Sequence, residues 1–172
     1  MNFKELKNLL PDHAKDIKLN LSRVLVEEGD GIKQNQIYAI ALACAHATKN
    51  TLLIDTFNTE ALHFLTEEEI SAAKAAAVIM AMNNVYYRFV HLVSDKSYQQ
   101  LPAQLRMNIM ANPGTDKITF ELMSLAVSAI NGCGLCMDSH SQVLIKADLS
   151  KTAIQKVIRL AAVINAVAQA LS

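Results

Sequence analysis

Hydrophobic and polar positions alternate with helical periods along this chain from end to end, and the interruptions are short. Asn2 followed by Glu5, and Thr66 followed by Glu69, have the spacing of a capping box, in which each side chain satisfies an otherwise unpaired donor of a first helical turn. "EEGDG" (Glu27 to Gly31), "SDKS" (Ser94 to Ser97), "NPGTD" (Asn112 to Asp116) and "NG" (Asn131 and Gly132) break the periods. Between them the pattern predicts helices of roughly 10 to 20 residues.

Composition strengthens that reading. The chain has 172 residues, 52% of them hydrophobic, with five glycines and three prolines, so it can bury a substantial core and has few turn-formers. An all-α protein is expected, with residues 1–172 forming one domain. Sixteen basic residues balance sixteen acidic ones, and without a basic cluster nucleic acid is not an expected partner. The first residues carry charge every few positions and do not read as a signal peptide. The longest apolar run, Ala75 to Met82, is far short of a membrane span, so a soluble, cytoplasmic protein is expected.

The chain also resembles itself. "IYAIALACAHATKNTLLIDTF" from Ile37 aligns with "FELMSLAVSAINGCGLCMDSH" from Phe120, and "AAVI" at Ala76 to Ile79 recurs at Ala161 to Ile164. An internal duplication is expected, with one copy over about residues 35–92 and the other over about 115–172. The copies differ where chemistry is concerned: Asn50, Leu53 and Phe57 stand where the second has Cys133, Cys136 and His140.

Cys133, Cys136 and His140 share one face of a helix that starts just after Asn131 and Gly132. A thiol at a helix N-terminus meets unpaired N–H groups and the positive end of the dipole, which favour the thiolate. If the preceding helix, about Thr115 to Ile130, turns back at Asn131, Glu121 comes level with Gln142, within one turn of His140. Glu121 is the one acid in an apolar stretch, and carboxylate, imidazole and thiol together make a proton relay. Two other readings of the motif remain. Cys133, Cys136 and His140 are three ligands of a type that holds zinc, although no second C-x-x-C or H-x-x-x-H completes a structural site. The cysteines could also be small core residues in a protein that is an interaction module.

The pattern E-x11-C-x2-C-x3-H, formed by Glu121, Cys133, Cys136 and His140, resembles the alkyl hydroperoxidase D (AhpD) family, as do the length, the doubled helical layout and the "AVAQAL" near the end. The resemblance implies an AhpD-like multihelical fold. It makes Cys136 the reactive thiol, which forms a sulfenic acid or mixed disulfide. Cys133 becomes the proton donor and resolving thiol, closing a Cys133–Cys136 disulfide, and His140 and Glu121 become the relay. It further implies an antioxidant enzyme that reduces the disulfide of a partner peroxiredoxin (AhpC) and turns over organic hydroperoxides weakly. Electrons would come from dihydrolipoamide on a lipoyl-bearing dehydrogenase component. No bound cofactor or metal is implied, and family members are usually homotrimers. The family commonly has a further His before the second cysteine, and here that position is Leu135. Carboxymuconolactone decarboxylases share the architecture without a redox cysteine pair and supply an alternative activity.

The remaining candidates read as ordinary. Cys44 in "ALACAHA" is expected to be a buried small hydrophobe. His13, His46, His63 and His91 have no ligand spacing, and "VYYRFV" (Val85 to Val90) is expected to pack inside or between subunits.

Overall fold

A computed structural model describes residues 1–26, 29 and 31–172. Glu27, Glu28 and Asp30, in the expected break "EEGDG", lie outside the described residues. The described residues form eight α-helices: α1 (Phe3–Leu9), α2 (Lys15–Val26), α3 (Gln34–Thr48), α4 (Thr51–Ala61), α5 (Glu67–Leu92), α6 (Lys117–Ile130), α7 (Gly134–Lys146) and α8 (Lys151–Ala170). No strand occurs among them, only an isolated bridge between Gly29 and Ile32.

Local chemistry accounts for the helix starts. Asn2 and Glu5 form the reciprocal capping box at α1, and Thr66 and Glu69 form the one at α5. The side chains of Asp116 and Ser150 accept from Thr119 N–H and Ala153 N–H to cap α6 and α8. Helix order repeats along the chain: Lys33, Asn50 and Thr66 precede α3, α4 and α5, and Asp116, Cys133 and Ser150 precede α6, α7 and α8.

Helices α3 and α6 are the buried pair at the centre. Ile37 to Ala45 and Thr119 to Ser128 are buried without interruption, because each helix is covered by the other and by α5 and α8. Such all-round burial requires all-round apolar or small side chains, which "IYAIALACA" and "TFELMSLAVS" supply with the exception of Glu121. Helix α2 lies on α8, α1 on α4, and α7 against α6 and α5. By length and composition α8 could cross a membrane, yet it turns Ala153, Val157, Leu160, Ala161 and Ile164 into the core.

One expectation is corrected, and another is met only in part. Helix α5 has 26 residues, beyond the expected length, because no Gly or Pro interrupts it between Glu67 and Leu92. Within "VYYRFV" only Val90 is buried; Val85 and Phe89 are 62% and 49% exposed. With Val78 and Leu92 they form an outward apolar stripe along α5.

Candidate redox centre

The turn between α6 and α7 is set by backbone hydrogen bonds. Gly132, at φ 68°, takes the left-handed conformation that glycine adopts without a steric penalty. The N–H of Cys133 then reaches back to Ser128 O at 3.0 Å, and that of Gly132 to Ala129 O at 3.2 Å. These bonds satisfy the last carbonyls of α6 and reverse the chain. Cys133 is therefore both the residue that closes α6 and the N-cap of α7, its Sγ accepting from Cys136 N–H at 3.3 Å.

Cys133 and Cys136 are joined by a disulfide, their Cα atoms 5.3 Å apart. Cys133 is fully buried, whereas Cys136 is 6% exposed and opens onto a cavity of about 370 Å³. A reactant therefore meets Cys136 first. His140, one turn further along α7, lines the same cavity and places Nδ1 2.6 Å from Glu121 Oε2 of α6. Both partners are 93% sequestered, at 7% exposure each, so the carboxylate acts on the imidazole with little screening by water. With Nδ1 held by Glu121, Nε2 is the ring nitrogen left to exchange a proton with a group in the cavity.

The four residues singled out by the sequence thus come together. A set that the sequence reading missed completes the cavity: Met80, Asn83 and Tyr87 from one stripe of α5, and Met110 from the loop before α6. Beside them Asn84 donates to Ser128 Oγ at 2.9 Å and accepts from Asn131 Nδ2 at 2.9 Å, while Arg88 donates to Asn131 O at 2.6 Å. These bonds fasten the turn that carries Cys133 to α5. A signal was present: two adjacent asparagines inside a long helix are unfavourable there unless their amides have work elsewhere.

Leu135, where the resembled family commonly has His, is 37% exposed and lines the cavity, giving it an apolar side. Cys44 is buried in α3, and burial pushes its thiol pKa up, which keeps it protonated and unreactive. His13, His63 and His91 are exposed, and His46 is half-buried; none lines the cavity. Among the described residues no group of three or more His, Cys, Asp and Glu is placed to hold a metal ion.

A family model described as the carboxymuconolactone decarboxylase family matches residues 96–172, the part that contains the whole constellation. The chain is 60% identical over 164 residues to "Alkyl hydroperoxide reductase AhpD" of Coxiella burnetii (strain Dugway 5J108-111), covering 95% of this chain and 93% of that protein. It is 53% identical over 171 residues to the protein of the same name from Beijerinckia indica, covering 99% and 94%. The one from Rhodopseudomonas palustris (strain BisA53) is 52% identical over 168 residues, covering 98% and 92%.

Proposed function

The chain belongs to the alkyl hydroperoxide reductase AhpD family, and from that premise we propose that Cys133 and Cys136 make it a thiol–disulfide oxidoreductase of peroxide defence. Its task is to reduce the disulfide of a peroxiredoxin, AhpC, with electrons from a dihydrolipoyl group on a dehydrogenase component, and to reduce alkyl hydroperoxides weakly by itself. The observation that carries this reading is the buried 2.6 Å Glu121–His140 pair on the same cavity as Cys136.

The cycle follows from thiol exchange. A donor thiolate attacks Cys136 Sγ, the Cys133–Cys136 bond breaks, and Cys133 leaves as a thiolate that takes up a proton. The donor's second thiolate then attacks its own sulfur in the mixed disulfide, forming the cyclic disulfide and releasing Cys136. In the second half Cys136, its proton passed to His140, attacks the peroxiredoxin disulfide. Cys133 resolves that mixed disulfide, which restores the internal bond and releases a reduced partner. Glu121 orients His140 and stabilises its cation through each transfer. A homotrimer accords with the exposed Val78, Val85, Phe89 and Leu92 on α5, which a second copy could cover.

Alkylation of the reduced protein across pH, resolved by cysteine, tests the assignment. Cys136 is expected to react with a pKa well below the usual value of about 8.5 while Cys44 stays inert. In Cys133→Ser, AhpC should be trapped as a mixed disulfide through Cys136; trapping through Cys133 in Cys136→Ser instead would reverse the two roles. The matched family description also names a lactone decarboxylase. Turnover of a muconolactone that survives Cys136→Ser would favour that activity.

A further inference from the structure

Of the seven methionines in the chain, Met80 and Met110 line the cavity of Cys136 and His140. They are held differently. The sulfur of Met80 accepts from Ser128 Oγ at 3.6 Å and from Asn84 Nδ2 at 3.9 Å, and the residue is 1% exposed. Met110, on the loop before α6, is half-buried, and no donor among the described residues reaches its sulfur. A thioether whose lone pairs are engaged and kept from solvent is a poorer nucleophile than one left free. Cys133 and Cys136 are joined in this structure, so the cavity holds no thiol in that state. Tyr87 and Ser139, which also line it, offer hydroxyl groups that a hydroperoxide does not oxidise. A hydroperoxide that enters before the disulfide has been reduced therefore meets Met110 as the most reactive sulfur.

Resting on the peroxide half of the function above, we propose that Met110 is a second site of oxidation by alkyl hydroperoxides, used while the Cys133–Cys136 bond is closed. The Met110 sulfur attacks the hydroxyl-bearing oxygen, an S–O bond forms, and the O–O bond breaks. The proton on that oxygen passes to the departing alkoxide, which leaves as an alcohol, and the thioether becomes a methionine sulfoxide. Two electrons move from sulfur to peroxide, so no further reactant is needed. In the reduced protein the Cys136 thiolate is the better nucleophile and takes the peroxide first. The sulfoxide sets a polar oxygen into the wall that Met110 shares with Met80 and Leu135, and thiol-dependent sulfoxide reduction is the class of reaction that restores it.

Full-length protein with the disulfide closed is treated with cumene hydroperoxide, and sulfoxide at each methionine is followed by peptide mass spectrometry. Met110 is expected to oxidise at least about 10-fold faster than Met107 of the same loop and Met137 of α7, which are half-buried and do not line the cavity; that factor is a modest effect of proximity. Equal rates, or a preference for Met80, overturn the assignment. So does a Met110 preference that persists in urea-unfolded protein, since it would belong to local sequence. Filling the cavity by alkylating Cys136 with N-ethylmaleimide should remove the advantage; if it survives, the peroxide reaches Met110 from solvent and the proposal fails. A parallel reaction with reduced protein should oxidise Cys136 before Met110. If reduced Cys136 is not oxidised by cumene hydroperoxide at all, the peroxide activity itself falls; if it is oxidised and Met110 is not preferred in the disulfide form, only the assignment of Met110 falls.

Discussion

Asn50 begins α4 and Cys133 begins α7, and each accepts a hydrogen bond from the backbone N–H three residues on, at Leu53 and Cys136. One turn later stand Phe57 and His140, both directed inward. Around Phe57 the space is filled: Phe3 of α1 meets its ring edge-on at 4.9 Å and lies 6.2 Å from Tyr38 of α3. Around His140 there is instead a carboxylate at 2.6 Å and a cavity. The same helix–turn–helix frame, with the same capping geometry, therefore supports either an aromatic plug or a carboxylate–imidazole pair beside a cavity. What separates them is a handful of side chains and the presence of α1. We read the pair as the two copies of a duplication, one kept for packing.

The contrast can be broken at four points, taken from the largest expected effect down. His140→Phe, which gives α7 the residue that α4 has, should slow thiol–disulfide exchange by about 10²- to 10⁴-fold while the protein stays folded. An unchanged rate and pH profile would remove His140 from the relay. Phe57→Ala should act in the opposite sense, lowering stability by about 3–5 kcal/mol in urea unfolding with exchange by the folded protein unaltered. A loss of exchange activity in that variant would mean that the plug and the relay are coupled. Glu121→Gln, which keeps a polar group beside Nδ1 but removes its charge, should raise the Cys136 pKa and slow exchange on the order of tenfold. Wild-type rates would place Glu121 outside the chemistry.

The smallest effect concerns His46, the histidine of the first hairpin. Burial, then the positive charge of Lys74, lowers its pKa, against an opposing influence of the nearby Asn58 amide. The unfolded chain, with a pKa of about 6.5, then binds a proton that the folded state does not. The stability contribution is present above that value and is lost as pH falls below it. His46→Gln should flatten the fall in urea midpoint between neutral pH and pH about 5. An identical slope would show that the imidazole titrates alike in both states.

Much of the site was legible because its parts are close in sequence. Cys133, Cys136 and His140 share one helix, and a turn at "NG" is enough to return Glu121 to their level. The height match placed Glu121 within one turn of His140, and the structure adds that the two side chains meet, at 2.6 Å. Capping boxes at Asn2 and Thr66 were equally readable, being four-residue patterns. Asn83, Met80 and Tyr87 were not, since they reach the cavity only through the packing of α5 on α7, which no local pattern encodes. The plug by Phe3 is non-local in the same way. Whether Val85 and Phe89 turn inward or outward was left open, because apolar residues at helical spacing mark a covered face without saying whether the cover is this chain or another.

The bond between Cys133 and Cys136 spans a sequence separation of only 3. Loop-closure entropy for so short a ring contributes about 2 kcal/mol to the folded state. Opening the bond, as the proposed cycle requires, would therefore leave most of the fold's stability in place. For a chain of this length the oxidised and reduced forms should melt ~4–8 °C apart. The melting temperature becomes a gauge of redox poise, by which a chain with no tryptophan can be titrated against a dithiol buffer without any label.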